Sequence, residues 1–466
     1  MPVLKVTRLG FFPMGKNLSA NKGFKNYPEK AAVLCLKMKI QNFENLAVTP
    51  LRKSALLIAE AGLGAIDTEK IIKNSVHFDS QKLVVNGNEF FLKDNGRIVV
   101  VGAGKCANDA AEALETILGG HLAGGVIIGI ESTQILKKIK SFKGSHPLPS
   151  ERNVKAAKEI ILLLESLTEN DFVIFVVSGG GSTLLYLPKD RDCEEEAKIF
   201  HALTNAGATI QEINTVRKHL SLARGGYLAK YAYPARGVAL IFSDVPGNDI
   251  QFIASGPTVK DETTIYNAEK ILEKYEIQRV CGIPKCGLVE TPKEEKYFQS
   301  VKNIIIASNK IALEAMANKT EELGFKAKIQ TDSLAGHTRE IAKNIVEELR
   351  GIPSKSVLLY SGETTLVVHD AKSKGGRNMH FALSALQYLK DDELIIGLAS
   401  DGRDNGDFAG AICDKITKEK VAKLGLDTGQ FLDKNNEYPL FEKVGDYILT
   451  GVTGSNVSDL IIAIKE

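Results

Sequence analysis

The chain has 466 residues, more than one hydrophobic core usually holds, so it is expected to fold as two or more lobes. Apolar residues make up 44% and charged residues 25%, which excludes a chain that is disordered throughout. Its 59 basic and 57 acidic side chains leave a formal net charge of +2, too small for a protein that binds nucleic acid through its charge. No apolar run reaches the roughly 18 residues of a membrane-spanning helix, so no membrane partner is expected.

Six cysteines are scattered along the chain without the pattern of a disulfide framework, which favours a reducing, cytoplasmic setting. Cys281 and Cys286 are too far apart for a zinc knuckle, and no second Cys or His pair follows at finger spacing. We therefore interpret both as structural. His146 precedes a predicted helix and is interpreted as a residue of its cap region.

Residues 1–37 are interpreted as an extra basic tail, because they are rich in Lys and lack a sustained apolar period. Arg8 is their one arginine, unlike a mitochondrial targeting sequence. The folded body is expected to begin near Met38. Its first helix is predicted over residues 51–62, with Thr49 and Pro50 at its start.

From residue 97 onward the sequence repeats one order: a short β-branched run, a turn of Gly, Ser or Asp, and a helix rich in Ala and Glu. Continuous apolar runs are typical of parallel strands covered by helices on both faces. The predicted class is α/β, with a Rossmann-like, doubly wound parallel sheet, and ligands of such sheets bind beyond the carboxyl ends of the strands. The predicted strands cover residues 98–101, 126–130, 172–177, 238–242, 304–307, 357–360 and 394–398.

The pattern loosens between residues 260 and 300, where two prolines and no clear strand occur. We place the lobe boundary there. The N-terminal Rossmann-like lobe is predicted over residues 38–300 and a C-terminal α/β lobe over residues 301–466, with a cleft between them. A final helix is predicted to open near residues 453–455.

The first candidate loop contains Gly102, Gly104 and Lys105, between a strand and a helix. As a dinucleotide fingerprint it needs an acidic residue after the next strand, and Glu131 stands there. As an anion cradle it uses backbone N–H groups, with Lys105 adding positive charge at a phosphate. A purely structural glycine turn is the third interpretation, and the loop alone does not decide among them.

The second candidate loop places Gly179, Gly180 and Gly181 between Ser178 and Ser182, directly after a buried strand. Three glycines let backbone amides approach an oxygen-rich ligand closely. A dehydrogenase does not need this second cradle, whereas a protein that holds a polyphosphate and a small acid does. The loop therefore favours phosphoryl chemistry over a flexible turn.

The third candidate is a segment predicted as one helix that ends at Gly225 and Gly226. Asn214, Arg217 and Ser221 fall three and four residues apart, so they form one polar stripe on that helix. A solvated helix face is the alternative. Because the stripe lies between loops of the cradle type, we interpret its residues as substrate-binding, with Arg217 as a ligand for carboxylate or phosphate.

Asp244 ends the strand predicted over residues 238–242, and Asp249 follows in the same loop. Carboxylates in that position suit magnesium or the proton of a hydroxyl group, although a single Asp there is often only a turn residue. Gly256 and Thr258 form a second turn of small residues further along. We take that turn as a phosphate-binding candidate.

The second lobe carries polar loops of the same kind. Glu363 and Asp401 each follow a predicted strand and are candidate magnesium ligands. Arg377 stands behind Gly375 and Gly376 and ahead of a predicted helix, so its planar guanidinium can meet a phosphoryl group from the other lobe. A surface arginine is the alternative.

Ten short strings follow one another along the chain: GAGK, SHPLPSERN, SGGGST, TVRKHLSLARGGYLA, SDVPGND, ASGPT, SGETT, KGGRN, ASDGRDN and TGSNVSDL. In these strings and their order the chain resembles the glycerate 2-kinase family, whose C-terminal lobe is called the MOFRL domain. The resemblance covers nearly everything after Met38. It departs from the family at Asn248, where an aspartate is usual, at Met379 and His380, where Gln and Glu are usual, and in a shortened late acidic loop.

The resemblance implies a two-lobed enzyme that transfers the γ-phosphate of ATP to D-glycerate, with Mg²⁺, forming 2-phosphoglycerate. The family's pattern carries over to Lys105, Asp244 and Arg377 as catalytic residues. The other candidates are Gly102, Gly104, Ser178, Gly179, Gly180, Gly181, Ser182, Gly256, Thr258 and Gly376 for nucleotide or phosphate, Asn214, Arg217 and Ser221 for substrate, and Asp244, Asp249, Glu363 and Asp401 for the metal.

Two other functions stay open at the level of sequence. The first is an NAD(P)H-dependent hydroxypyruvate reductase, which Gly102, Gly104 and Glu131 would suit. The second is a sensor without enzymatic activity that binds a sugar acid or a nucleotide. In every case the expected ligand is a small molecule, and the chain is expected to be a monomer or a homodimer.

Overall fold

The computed structural model describes residues 38–189, 193–281, 287–367 and 373–466. The predictions for the tail at residues 1–37 and for the side chains of Cys281 and Cys286 lie outside what it describes. The strands are β1 Val76–Phe78, β2 Lys82–Val85, β3 Asn88–Phe91, β4 Ile98–Ala103, β5 Leu122–Gly129, β6 Ile139–Lys143, β7 Phe172–Val177, β8 Arg236–Phe242, β9 Val301–Ala307, β10 Lys326–Leu334, β11 Ser356–Gly362, β12 Glu393–Ala399, β13 Gly410–Cys413, β14 Tyr447–Ile448 and β15 Asp459–Lys465.

The α-helices alternate with these strands over most of the chain. They are α1 Phe43–Leu46, α2 Pro50–Ala65, α3 Thr68–Ser75, α4 Ala107–Leu118, α5 Glu151–Glu165, α6 Gly181–Leu184, α7 Cys193–Asn205, α8 Ile210–Lys218, α9 Tyr227–Ala232, α10 Ile265–Lys274, α11 Ile277–Cys281, α12 Glu295–Gln299, α13 Asn309–Glu322, α14 Thr338–Arg350, α15 Arg377–Leu386, α16 Lys415–Lys423, α17 Thr428–Asp433 and α18 Tyr438–Val444. As predicted, Thr49 caps α2: its side chain accepts a hydrogen bond from the N–H of Arg52. No helix of the described residues has the length and apolar character that crossing a bilayer requires.

The first large sheet confirms the predicted Rossmann-like class. Its strands are parallel in the order β6-β5-β4-β7-β8-β9, so the chain winds outward from β4 in one direction and from β7 in the other. Every residue of β4 and β7 is buried, as their continuous apolar sequences predicted. The order of the strands reverses between β4 and β7, and the loops that follow these two strands form the crevice where such sheets bind ligands.

The second large sheet has the order β10-β11-β15-β12-β13-β14 and is mixed, because β15 runs antiparallel between β11 and β12. The prediction of a final helix is therefore wrong, since the chain ends in a central strand. A short apolar run can form either structure, and its seven residues, bounded by Asp459 and Lys465, fit a buried strand better than a helix. A small third sheet joins β1, β2 and β3.

The boundary predicted at residue 300 cuts through the first sheet. β9, expected to open the second lobe, pairs with β8 from Gly237 opposite Val301 onward. The loosened segment before it is a crossover between neighbouring strands and not a linker between lobes. A division by sheets falls after Ala307.

Both large sheets contribute to one hydrophobic core, in which α2 and α13 pack against each other and against the second sheet. This core contains Val100 and Ile174 from the first sheet and Leu359 and Ile462 from the second. A hinge that separated the sheets would expose this apolar surface to water, at high cost in free energy.

A buried ion-pair network fastens α2 to the second lobe. The Arg52 side chain is 0% exposed; its Nε and Nη2 donate to the two oxygens of Asp414 at 2.7 and 2.6 Å, and its Nη1 donates to Asp446 at 2.8 Å. Thr417 accepts a further hydrogen bond from Nη2 at 3.0 Å and donates to Asp446 at 2.8 Å. Every charge in the network thus has a partner of opposite sign or a hydrogen bond.

Candidate active site

The loops after β4 and β7 are joined by a backbone hydrogen bond at the point where the strand order reverses. The N–H of Gly104 donates to the carbonyl of Ile128 at 3.1 Å, and the N–H of Lys105 donates to the carbonyl of Gly179 at 2.9 Å. Gly102 lies within β4, where a Cβ would overlap Val176. In this structure Gly102 therefore packs two strands closely, and the N–H of Gly104 is already bonded and is not free for a phosphate.

The loop after β7 keeps free amides. The N–H of Gly181 donates to the carbonyl of Ser178 at 3.1 Å, but within the described part of the chain those of Gly179, Gly180 and Ser182 have no protein partner. Gly180 adopts a φ of 81°, which glycine tolerates without strain. Of the two predicted cradles, this one has donors to offer an anion.

A cleft of about 1090 Å³ opens beyond these loops and is lined by both lobes. It has the size of a site for a small organic ligand. The predicted site residues that line it are Lys105, Glu363, Gly376, Arg377 and Asp401. The first comes from the first lobe and the other four from the second.

Lys105 reaches across this cleft. Its Nζ lies 2.7 Å from Oδ2 of Asp401, and both side chains are about one-quarter exposed. The lysine comes from the β4 loop and the aspartate follows β12, so the ion pair joins the lobes over the cleft. An anionic ligand would compete with Asp401 for this ammonium group.

Arg377 is the first residue of α15, with Gly376 as its N-cap. Its Nη1 donates to Oε2 of Glu363 at 2.7 Å, and its Nε lies 3.2 Å from Oδ2 of Asp459. Burial opposes its charge, but the carboxylates of Asp459 and Glu363 outweigh that effect and raise the pKa of Arg377. The guanidinium therefore stays charged in a partly buried position.

Two buried carboxyl groups beside Arg377 lose their protons less readily than ordinary carboxyl groups do. Burial raises the pKa of Asp404 to about 6, although this carboxyl group accepts the N–H groups of Asn378 at 3.0 Å and Met379 at 2.7 Å. Burial raises the pKa of Asp459 to about 7, because attraction to Arg377 does not fully offset it. This part of the cleft wall therefore carries acidic groups that ionise with difficulty.

The sequence reasoning missed Asp459 because it predicted a helix there. In the antiparallel strand β15 this residue pairs with Gly362 at the end of β11 and with Ala399 at the end of β12. β11 and β12 run in the same direction and β15 runs between them in the opposite direction. The first residue of β15 therefore lies beside the carboxyl ends of β11 and β12, where ligand sites form. The charged ends of its apolar run are the signal that could have indicated a strand.

Asp244 lies behind Asn456, a residue that lines the cleft. Its Oδ2 accepts a hydrogen bond from Nδ2 of Asn456 at 3.1 Å, and a Cβ on Gly179 would overlap its carboxylate. Burial, together with the negative charge of Glu363, raises the pKa of Asp244 to about 6. Gly179 is thus required for the close approach of the β7 loop to this acid.

The predicted polar stripe is broken. α8 ends at Lys218, so Ser221 lies in the following turn, where its hydroxyl donates to the carbonyl of Leu185 at 3.2 Å and is fully buried. The prediction that Ser221 shares a helix face with Asn214 and Arg217 is wrong, because the helical period was extended past the end of the helix. Asn214 and Arg217 remain on α8.

Arg217 and Asn214 belong to a polar cluster beside the β7 loop. Arg217 donates to Oγ1 of Thr183 at 3.1 Å, and burial lowers its pKa to about 10. Asn214 accepts from Ser255 at 3.1 Å, and the hydroxyl of Ser255 lies 2.8 Å from that of Ser182. The cluster therefore stands next to the free amides.

Three other predicted site residues lie away from the cleft. Asp249 is exposed, and its carboxylate accepts the N–H of Gln251 at 3.0 Å in a turn. Thr258 is buried and donates to Oδ1 of Asn303 at 2.6 Å, while Gly256 forms a turn with a φ of 57°. The structure therefore does not bring these three residues into the cleft with the other candidates for metal and phosphate.

The predicted magnesium ligands do not form a cage. Asp249 points elsewhere, and both oxygens of Asp401 have partners in Lys105 and the N–H of Arg403. Glu363 is paired with Arg377 through Oε2 and Asp244 accepts from Asn456 through Oδ2, so within the described residues each of these two acids keeps one oxygen for a metal. Across the described ranges no three His, Cys, Asp or Glu side chains come together to hold a metal ion. Magnesium commonly takes only one or two carboxylates and completes its shell with phosphate oxygens and water.

Replacing Asp459 with Asn is expected to change how stability depends on pH. The pKa of Asp459 is about 7 in the folded protein, whereas the ordinary pKa of an aspartate is near 3.8. Between these two values the folded protein binds the proton more tightly than the unfolded chain does, so the free energy of unfolding should fall as pH rises through this interval. Thermal unfolding should show Asp459→Asn more stable than the original chain at pH 8 and little different at pH 4.5. Asp94→Asn, in an exposed turn, is the control. A difference that does not vary with pH would contradict this result.

A parallel sheet with free amides at its point of strand reversal faces, across one cleft, a second lobe that supplies a charged arginine. These features define a two-lobed α/β protein whose cleft suits a small anionic ligand.

Comparison with known proteins specifies the family. The MOFRL family matches residues 356–459, and a domain of unknown function, DUF4147, matches residues 54–282. The glycerate 2-kinase of Pyrococcus horikoshii is 38% identical over 89% of this chain and 97% of its own length. The crystal structure of a glycerate kinase from Thermotoga maritima is 33% identical, with a TM-score of 0.76, over 89% of this chain and 99% of that chain. The chain belongs to the glycerate 2-kinase family, which confirms the resemblance found in its sequence.

A relative from Agrobacterium vitis, 36% identical over 79% of this chain and 87% of its own length, carries the name hydroxypyruvate reductase without proof of that activity. The site does not favour this reaction. A dinucleotide fingerprint needs N–H groups of the β4 loop for the pyrophosphate, and those of Gly104 and Lys105 are bonded to carbonyl groups. Glu131, the expected ribose ligand, forms an ion pair with Lys143 at 2.6 Å.

Proposed function

We propose that this protein transfers the γ-phosphoryl group of ATP to the C2 hydroxyl of D-glycerate and forms 2-phosphoglycerate. One observation carries the proposal: Lys105 and Arg377, from different lobes, line the same cleft. A moving phosphoryl group carries charge on three oxygens, and transfer depends mostly on neutralising it and placing the reactants in line. Two cations on opposite walls meet that need.

Lys105 and Arg377 have different tasks in this proposal. The ammonium of Lys105 is mobile and exchanges Asp401 for a phosphate oxygen, because the pair is partly exposed. The guanidinium of Arg377 is held by Glu363 and Asp459, so it presents its remaining N–H groups in a fixed orientation. Both stabilise charge that increases in the transition state.

The β7 loop supports the nucleotide in this arrangement. The free amides of Gly179, Gly180 and Ser182 offer hydrogen bonds to polyphosphate oxygens without adding a charge. Asn214 and Arg217, beside the same loop, are the candidates for the glycerate carboxylate and its hydroxyl groups. Nucleotide and acid would then meet at the carboxyl end of β7.

Magnesium fits the remaining acids. Burial raises the pKa of Asp244, and the negative charge of Glu363 raises it further, so a divalent cation would stabilise both carboxylates. We propose these two as its protein ligands. When bound, the ion would neutralise phosphate oxygens.

The test is phosphorus NMR of the protein with ATP, Mg²⁺ and D-glycerate. We expect a resonance of 2-phosphoglycerate to grow as ADP forms, and no ADP without glycerate, which distinguishes the enzyme from a sensor. Chelation of Mg²⁺ should abolish the signal. NADH with hydroxypyruvate is the parallel assay, and its consumption in place of phosphoryl transfer would overturn the proposal in favour of the reductase.

A further inference from the structure

The loop that carries His146 is held firmly on its N-terminal side. Asn153 of α5 is fully buried; its Oδ1 accepts the N–H of Ser145 at 2.8 Å and its Nδ2 donates to the carbonyl of Ser145 at 3.0 Å. The N–H of Gly144 donates to the carbonyl of Gly129 at the end of β5 at 2.8 Å. The backbone just before His146 therefore has a fixed position.

The C-terminal side of His146 is fastened to the β7 loop. Nδ2 of Asn153 also donates to the carbonyl of Thr183 at 3.0 Å, and Oγ1 of Thr183 donates to the carbonyl of Pro147 at 3.1 Å. The same hydroxyl accepts the hydrogen bond from Arg217. Anchors on both sides of a side chain restrict where it can point, which is how proteins preorganise reactive groups.

The imidazole itself has no protein partner. His146 lines the cleft, and in the described part of the chain neither ring nitrogen forms a hydrogen bond or an ion pair. A Cβ built on Gly180 would lie 3.4 Å from Nε2 of His146, so this nitrogen lies against the loop with free amides. A rigid loop thus offers an unoccupied proton acceptor to the place where nucleotide and acid meet.

The surroundings of His146 favour its neutral form. Burial against the loop, followed by the positive charges of Lys105 and Arg217, lowers the pKa of His146, and Asp401 opposes this only in part. A neutral imidazole accepts a proton at pH 7 and adds no negative charge near a polyphosphate.

Asp244 is the other acceptor near this loop, and its position differs. It approaches Gly179, whereas His146 approaches Gly180, and its Oδ2 already accepts from Asn456. A carboxylate that holds a cation is a weak base. Asp244, next to Gly179, is therefore the metal ligand, and His146, next to Gly180, is the proton acceptor.

We propose that His146 is a catalytic residue that accepts the proton of the glycerate hydroxyl during transfer. This inference rests on the proposed function. The hydroxyl oxygen forms a bond to the γ-phosphorus as the bond between that phosphorus and the bridging oxygen breaks, and the electron pair leaves with ADP. The hydroxyl proton passes to the free ring nitrogen and then to solvent.

The test compares the original chain with His146→Gln, His146→Ala and the control His77→Gln, which alters an exposed residue of β1. Gln keeps the ability to form hydrogen bonds but cannot take up a proton. At pH 7.5 we expect kcat to fall about 100-fold in both His146 variants, with the KM for ATP unchanged. Added imidazole should restore activity several-fold in His146→Ala but not in His146→Gln.

A second measurement does not depend on turnover. The imidazole resonance of His146, assigned by its loss in His146→Gln, should shift when D-glycerate binds without ATP. Activity of His146→Gln within threefold of the original chain, no rescue of His146→Ala by imidazole, or an unshifted resonance would each overturn the role of His146 while leaving the kinase proposal in place. Failure of the original chain to transfer phosphate would overturn both.

Discussion

Replacing Lys105 with Ala, or Arg377 with Ala, is expected to lower kcat for the phosphorylation of D-glycerate by at least about 100-fold. Each change removes one of the two cations that reach the cleft from different lobes. Since both are proposed to act on charge that increases in the transition state, kcat should fall more than the KM values rise. Steady-state kinetics with coupled detection of ADP gives both quantities.

The kinetics need a control for folding. Lys158→Ala alters an exposed lysine of α5 and should leave kcat within twofold. Circular dichroism should show that the Lys105 and Arg377 variants keep the fold. Near-normal turnover in both would remove these residues from the mechanism and leave the cleft without a means of stabilising the phosphoryl group.

Replacing Arg52 with Met is expected to lower the free energy of unfolding by about 3–5 kcal/mol. Met fills much of the volume, but Asp414 and Asp446 would lose the cation between them while remaining buried. Lys420, 2.7 Å from Asp446, can compensate for only one of the two. Urea-induced unfolding followed by circular dichroism measures the change.

Arg279→Met provides the matched comparison. Arg279 is 78% exposed and pairs with Glu276 one helical turn away, an arrangement worth only about 0–1 kcal/mol. Equal losses in the two variants would mean that burial adds nothing to the Arg52 network. A large loss confined to Arg52→Met would identify this network as a principal attachment of α2 to the second lobe.

Local sequence patterns predicted the structure best where it depends on residues that are adjacent in the sequence. The cap of α2, the buried strands β4 and β7, and the start of α15 at Arg377 follow the predictions closely. Errors arose where a pattern allowed two structures. The run that begins at Asp459 became a strand, and the polar stripe was extended beyond the end of α8.

The sequence by itself determined the parallel Rossmann-like sheet, the family, and the presence of Lys105, Asp244 and Arg377 at strand ends or helix starts, because apolar periodicity and short motifs are local properties. Only the tertiary structure decided which glycines pack strands and which leave amides free, since that depends on a neighbouring strand far away in the chain. It alone brought Asp459 beside Arg377 and His146 beside Gly180. Such contacts arise when strands from distant segments are placed side by side, and no periodicity within a segment encodes the identity of its neighbour.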